Sequence, residues 1–220
     1  MNSFYSVLHS SETMIEIEKS KFISYVKPVE TEQEATDFIN SIKKKHYDAT
    51  HNVSAFYLRE NSFYKRSSDD GEPSGTAGMP ALQTIVNRGI IDVCVVITRY
   101  FGGTKLGTGG LVRAYTESTN KGLDNAKVIE FHKMREHILT LSYDLLSSIQ
   151  YHLKKKEILV LDTIYEENIK IHILLKESEA DILTDLINLT SSQIIIEEGE
   201  QKYIAQEDGK VIASKEVTER

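Results

Sequence analysis

The residues best placed to do chemistry lie in Thr98-Arg99-Tyr100-Phe101-Gly102-Gly103-Thr104-Lys105-Leu106-Gly107-Thr108-Gly109-Gly110-Leu111-Val112-Arg113, where an apolar run passes through five glycines into a helical pattern. Amides at a helix start have no partner within the helix, and they attract anions. Glycine lets a phosphate come close to the backbone, and Lys105, Arg99 and Arg113 would add positive charge around Gly109 and Gly110. Neither common phosphate motif fits. Lys105 follows Thr104 instead of a glycine, and Val112 stands where a dinucleotide fingerprint needs its third glycine. Two readings stay open: an anion or nucleic-acid contact, or glycines that only permit close packing.

A second cluster is Ser68-Asp69-Asp70-Gly71-Glu72-Pro73-Ser74-Gly75-Thr76-Ala77-Gly78. Asp69, Asp70 and Glu72 are carboxylates that a hard cation would take, but their spacing is not that of a calcium loop, and an acidic turn is the plainer reading. His51 could join Asp70, Glu72, Arg99 and Lys105 around a small phosphorylated or carboxylated ligand, with His51 or a carboxylate as general base. Arg99 could equally brace the fold through a carboxylate such as Asp70. His46 ends a helical pattern, and there is neither an H-E-x-x-H nor a G-x-S-x-G motif. Neither a metal nor a cofactor is expected.

These residues need elements to hold them. Phe22–Val29 reads as a strand. Thr31 with Glu34 forms a capping box before Ala35, Phe38, Ile39 and Ile42, and Lys43, Lys44 and Lys45 suit the helix end. His51–Leu58 and Ser62–Arg66 read as strands turned at Glu60-Asn61, with a loop over Ser67–Gly78. Pro80 suits the first position of a helix that Gly89 stops. Ile90–Thr98 reads as a central strand, Arg99–Gly110 as a loop and Leu111–Ala126 as a helix. Cys94, the one cysteine, lies inside the apolar run and reads as a structural thiol, which suits a reducing, cytoplasmic setting.

Composition changes near Glu130. Of 26 basic and 33 acidic residues, 15 of each precede Glu130, so the rest of the chain carries the whole net charge of −7. A global basic field that would draw nucleic acid is absent, so any RNA contact has to be local. Beyond that point the order is β-α-β-β-α-β, the ferredoxin-like plan. It comprises Ile138–Tyr143, a helix capped by Asp144, Ile158–Tyr165, Ile169–Leu175, a helix capped by Ser178 with Asp181, and Gln193–Ile204. The expected fold class is therefore α+β in two domains, 1–130 and 131–206, with a frayed polar tail over 207–220. Met1–Ser10 lacks the features of a secretory signal, and no apolar run approaches the roughly 18 residues of a membrane span.

Lys19-Ser20-Lys21-Phe22, Asp48-Ala49-Thr50-His51-Asn52, Ser68–Pro80 and Thr98–Arg113 together resemble the Impact/YigZ family over roughly residues 1–130. The acidic remainder is similar to the smaller domain that bacterial members append. The family often has a cysteine after the His–Asn pair, where this chain has Val53. The resemblance implies a first domain related to a ribosomal protein and to domain IV of elongation factor G, and a second related to that factor's domain V. It also implies a link to translation, though the eukaryotic relatives act through a further domain that these 220 residues do not include. Some relatives carry a proline dipeptidase label, which the lack of a metal-ligand pattern speaks against. The expected function is RNA or ribosome binding through Arg99–Gly110. The alternative is an enzyme pocket between Ser67–Gly78 and Arg99–Gly110.

Overall fold

The structure, a computed structural model, describes residues 1–59 and 63–217. The expected turn at Glu60-Asn61 and the start of the following strand at Ser62 lie outside the described residues. The chain divides into two compact units, Phe4–Glu130 and Phe131–Arg220 with Met1–Ser3. No helix among the described residues is long and apolar enough to cross a membrane.

In the first unit, β1 (Ser3–Val7) is followed by β2 (Ser11–Ile17), β3 (Ser20–Pro28), α1 (Glu32–Lys45), β4 (His51–Tyr57), β5 (Lys65–Ser68), α2 (Gly78–Asn87), β6 (Val93–Tyr100) and α3 (Gly107–Asn125). Five strands form an antiparallel sheet in the order β2-β3-β6-β4-β5. β6 is central, and period-two alternation assigns its residues to two cores. Val93, Val95 and Ile97 pack with Ala81 and Ile85 of α2 and with Ala114 and Tyr115 of α3. Cys94 and Val96 pack with Ala35 and Ile42 of α1. A strand covered on both faces reads as a continuous apolar run, which is why the sequence marked it so clearly.

Several boundaries differ from the expected ones, each for a local reason. The N-terminal residues, to which the sequence reading gave no element, supply β2. Its turn into β3 is only two residues, Glu18 and Lys19, both at positive φ (48° and 64°). That geometry usually calls for Asn-Gly, so Glu-Lys gave no signal. β6 begins at Val93 and runs on to Tyr100, so Arg99 is a strand residue. Ile90 and Ile91 are buried but precede the strand, because Asp92 turns the backbone at φ 55°. α2 starts at Gly78, so Pro80 is its third residue, still within the turn whose amides lack intrahelical acceptors. α3 starts at Gly107, four residues earlier than the sequence suggested. Thr31 does accept the Glu34 amide at 3.2 Å, while the Glu34 carboxylate takes the Glu30 amide at 2.7 Å.

The second unit contains β7 (Val128–Leu141), α4 (Leu146–Lys155), β8 (Leu159–Tyr165), β9 (Ile169–Lys176), α5 (Asp181–Leu189), β10 (Ile195–Glu207) and β11 (Lys210–Glu216). Its antiparallel order β10-β7-β9-β8 is that of a ferredoxin-like sheet, with α4 and α5 packed through Ile149, Leu153, Ile182 and Leu186. Asp144 and Ser178 do not cap these helices. Each lies in a short 3-10 turn ahead of its helix, and the Glu179 carboxylate takes the Lys176 amide at 2.8 Å. Within the tail expected to fray over 207–220, Lys210–Glu216 is strand β11, hairpinned to β10 through Asp208-Gly209, both at positive φ; residues 218–220 lie outside the described residues. Asp-Gly favours that turn; the polar composition around it hid the signal.

Candidate functional site in the first unit

Strand register lines up Phe22, Arg99 and His51 in one row across β3, β6 and β4. Arg99 would be an uncompensated charge in this core were it not met from above by the Asp69–Ala77 loop. Its Nη1 donates to Glu72 Oε1 at 2.7 Å, and both side chains are buried. Tyr115 of α3 donates its hydroxyl to the same oxygen at 2.7 Å. Burial, reinforced by that bond, pushes the Tyr115 phenol up, so it stays a neutral donor. Arg99 Nη2 reaches Ser20 Oγ at 3.4 Å, and the guanidinium lies 5.3 Å from the Phe22 ring centroid and 5.6 Å from that of Phe101. Arg99 thus braces the fold through a carboxylate, and that carboxylate is Glu72, not Asp70. This arginine is buried.

The other two carboxylates face elsewhere. Asp69 accepts the amides of Gly75, Ala77 and Gly78 at 2.8, 3.1 and 2.8 Å, which shapes the loop and tethers the start of α2. Burial raises the pKa of Asp69, but the three amides outweigh it and hold the carboxyl below its usual range. Asp70 accepts from Lys43 Nζ at 2.6 Å and from the Asn52 amide at 2.7 Å. These bonds likewise overcome desolvation and lower its pKa. Lys43, read from sequence as a solvated helix end, is therefore a partner of the loop. Asp69, Asp70 and Glu72 thus turn to separate partners. His51 Nδ1 donates to the Asp70 carbonyl at 2.8 Å, with Nε2 3.7 Å from Glu72 Oε2. Cys94 is buried, and desolvation pushes its thiol far up.

Sequence reasoning missed a directed hydrogen-bond chain at the end of α1. Tyr100 donates to Asp48 at 3.1 Å, so it accepts from His46 Nδ1 at 2.9 Å. His46 Nε2 then accepts from Tyr25 at 2.6 Å, and Tyr25 accepts from Lys45 at 3.2 Å. Burial lowers the His46 pKa, in keeping with a neutral ring. Isolated Tyr and His residues spread from position 25 to position 100 carry no spacing signal for such a chain.

The glycine turn divides into two parts. A side chain at Gly102 would overlap the Lys19 backbone, so packing accounts for this glycine. Gly109 is different: a Cβ there would meet only Arg113 Nη1, at 4.0 Å. The first turn of α3 has no side-chain cap and no acidic residue. Lys105, Gly109 and Arg113 are exposed around it, and Gly110 is half-buried.

A helix-flanked antiparallel sheet with an open, glycine-lined helix start, joined to a ferredoxin-like unit, defines a class of two-domain α+β proteins. Residues 18–123 match the Impact N-terminal domain, and residues 139–193 match a domain of unknown function, DUF1949. The chain belongs to the IMPACT family. It is 42% identical over 205 residues to the IMPACT family member YvyE of Bacillus subtilis, covering 93% of this chain and 94% of that one. It is 36% identical over 137 residues to the IMPACT family member YigZ of Escherichia coli, covering 61% and 67%. A crystal structure of a hypothetical protein superposes with TM-score 0.58 at 28% identity, over 89% of this chain and 97% of the other.

Proposed function

We propose that this protein acts in translational control by binding RNA or the ribosome through the first turn of α3. The observation that carries this reading is the contrast between the glycines. Gly102 is required by packing, whereas Gly109 faces open space beside uncapped amides, with Lys105 and Arg113 exposed nearby. An exposed helix start with two cations suits a phosphate of a nucleic-acid backbone. Family membership, with its link to translation, supplies the class of partner. Arg99 serves this surface indirectly, by holding the end of β6 against the Asp69–Ala77 loop.

The enzyme alternative needs free acid–base groups in one place. Arg99 and Glu72 are spent on each other, and Lys105 lies exposed beyond them, which favours a binding surface. Sedimentation with ribosomes at low salt, together with filter binding of RNA, tests the proposal. The protein should travel with the ribosomal fraction and retain RNA. Recovery entirely in the free fraction with no RNA retained would end it.

A further inference from the structure

The helix-covered face of the second sheet changes character along β7. Leu141 and Leu139 are core residues, and at the same period-two spacing they are followed by His137, Arg135 and Lys133. The neighbouring strand changes with them: Leu139 stands opposite Ile196, His137 opposite Glu198 and Arg135 opposite Gln201. With Lys176 and the turn Glu177–Ala180, these residues line a pocket of about 640 Å³. That volume lies within the range of small-ligand sites.

Two features of the pocket point to a ligand. The His137 side chain is buried, at 6% exposure, and its Nδ1 has no hydrogen-bond partner among the described residues. A buried polar atom left unpaired is costly, and a ligand group would relieve that cost. The charges are also unbalanced. Arg135 spends Nη1 on Glu198 at 3.0 Å, while Glu177 takes only a 3.5 Å contact from the Asn2 amide. The ammonium groups of Lys133 and Lys176 form no ion pair among the described residues. Three cations thus outnumber two carboxylates, although the chain from Glu130 onward carries a net −7.

We infer that this pocket binds a small phosphate-bearing molecule, with Lys133, Lys176 and Arg135 facing the phosphate and His137 Nδ1 meeting a polar group of the ligand. A phosphate supplies the double charge and several acceptor oxygens that three cations from two strands can share. Burial lowers the His137 pKa, which leaves its ring neutral.

Amide and imidazole NMR of the full chain, titrated with inorganic phosphate and pyrophosphate at constant ionic strength, tests the site. Saturable shifts are expected at Arg135–His137 and Lys176–Ser178 and at the His137 ring nitrogens, with pyrophosphate tighter than phosphate. The double variant Lys133→Ala/Lys176→Ala should keep the wild-type spectrum and bind at least about tenfold more weakly. No saturation by about 10 mM, equal affinity in the double variant, or shifts spread over unrelated lysines (an adventitious ion only) would overturn the inference.

Discussion

Arg99 and Glu72 sit at the centre of the site's construction, since both are buried and their opposite charges meet at 2.7 Å. Breaking a buried pair leaves a charge in a low-dielectric core, which costs about 3–5 kcal/mol. Glu72→Ala should therefore lower unfolding stability in urea by about that amount, and Arg99→Met/Glu72→Leu should recover part of it. A loss under about 1 kcal/mol for Glu72→Ala would mean that the pair is not structural. Asp69 makes a separate prediction. Its folded pKa lies below the unfolded value, so its amide bonds contribute stability above that unfolded value and lose it as pH falls through the folded one. Wild type should weaken progressively from about pH 5 downward, and Asp69→Asn should show a shallower loss over the same range in pH-dependent urea melts. An unchanged acid limb would contradict the geometry. At this scale the sequence named His51, Asp70, Glu72, Arg99 and Lys105 as neighbours, and the structure joins the first four while Lys105 stays exposed. It did not name Tyr115, Lys43 and Asn52, which complete the bonding of Glu72 and Asp70 from other elements.

Helices and strands were legible where local pattern and burial agreed. α1 carries its cap in Thr31 and Glu34, and β6 is apolar because both of its faces are covered. The ferredoxin-like order followed from alternating strand and helix patterns in the second unit. The pattern failed where tertiary contact overrides local chemistry. Glu18-Lys19 makes a tight turn without turn residues, and Arg99 continues a strand between β3 and β4 while its buried charge is met by Glu72 from a distant loop. The glycines of Arg99–Gly110 looked like one loop, yet they divide between a crossing over Lys19 and the first turn of α3. That division is testable. Gly102→Ala should cost well over about 1 kcal/mol, because backbone must shift to admit the methyl group. Gly109→Ala should stay within about 0.5 kcal/mol of wild type or gain stability, since alanine favours a helix. Equal effects of the two changes in thermal melts would erase the distinction on which the proposed surface rests.

Taken whole, the molecule joins a charge-neutral unit to an acidic one, and both candidate sites are local exceptions to that balance. Lys105 and Arg113 form a small cationic surface on a neutral unit, so binding there should be modest and strongly dependent on salt. The most direct measurement of the central claim compares the salt dependence of RNA affinity for wild type and for Lys105→Ala/Arg113→Ala. Both residues are exposed, so the double variant should melt as wild type does. The account predicts weaker binding and a slope of log K against log salt that is shallower by about 1.4 for single-stranded RNA, the loss of two phosphate contacts. Identical affinity and identical slope in the two proteins would contradict it.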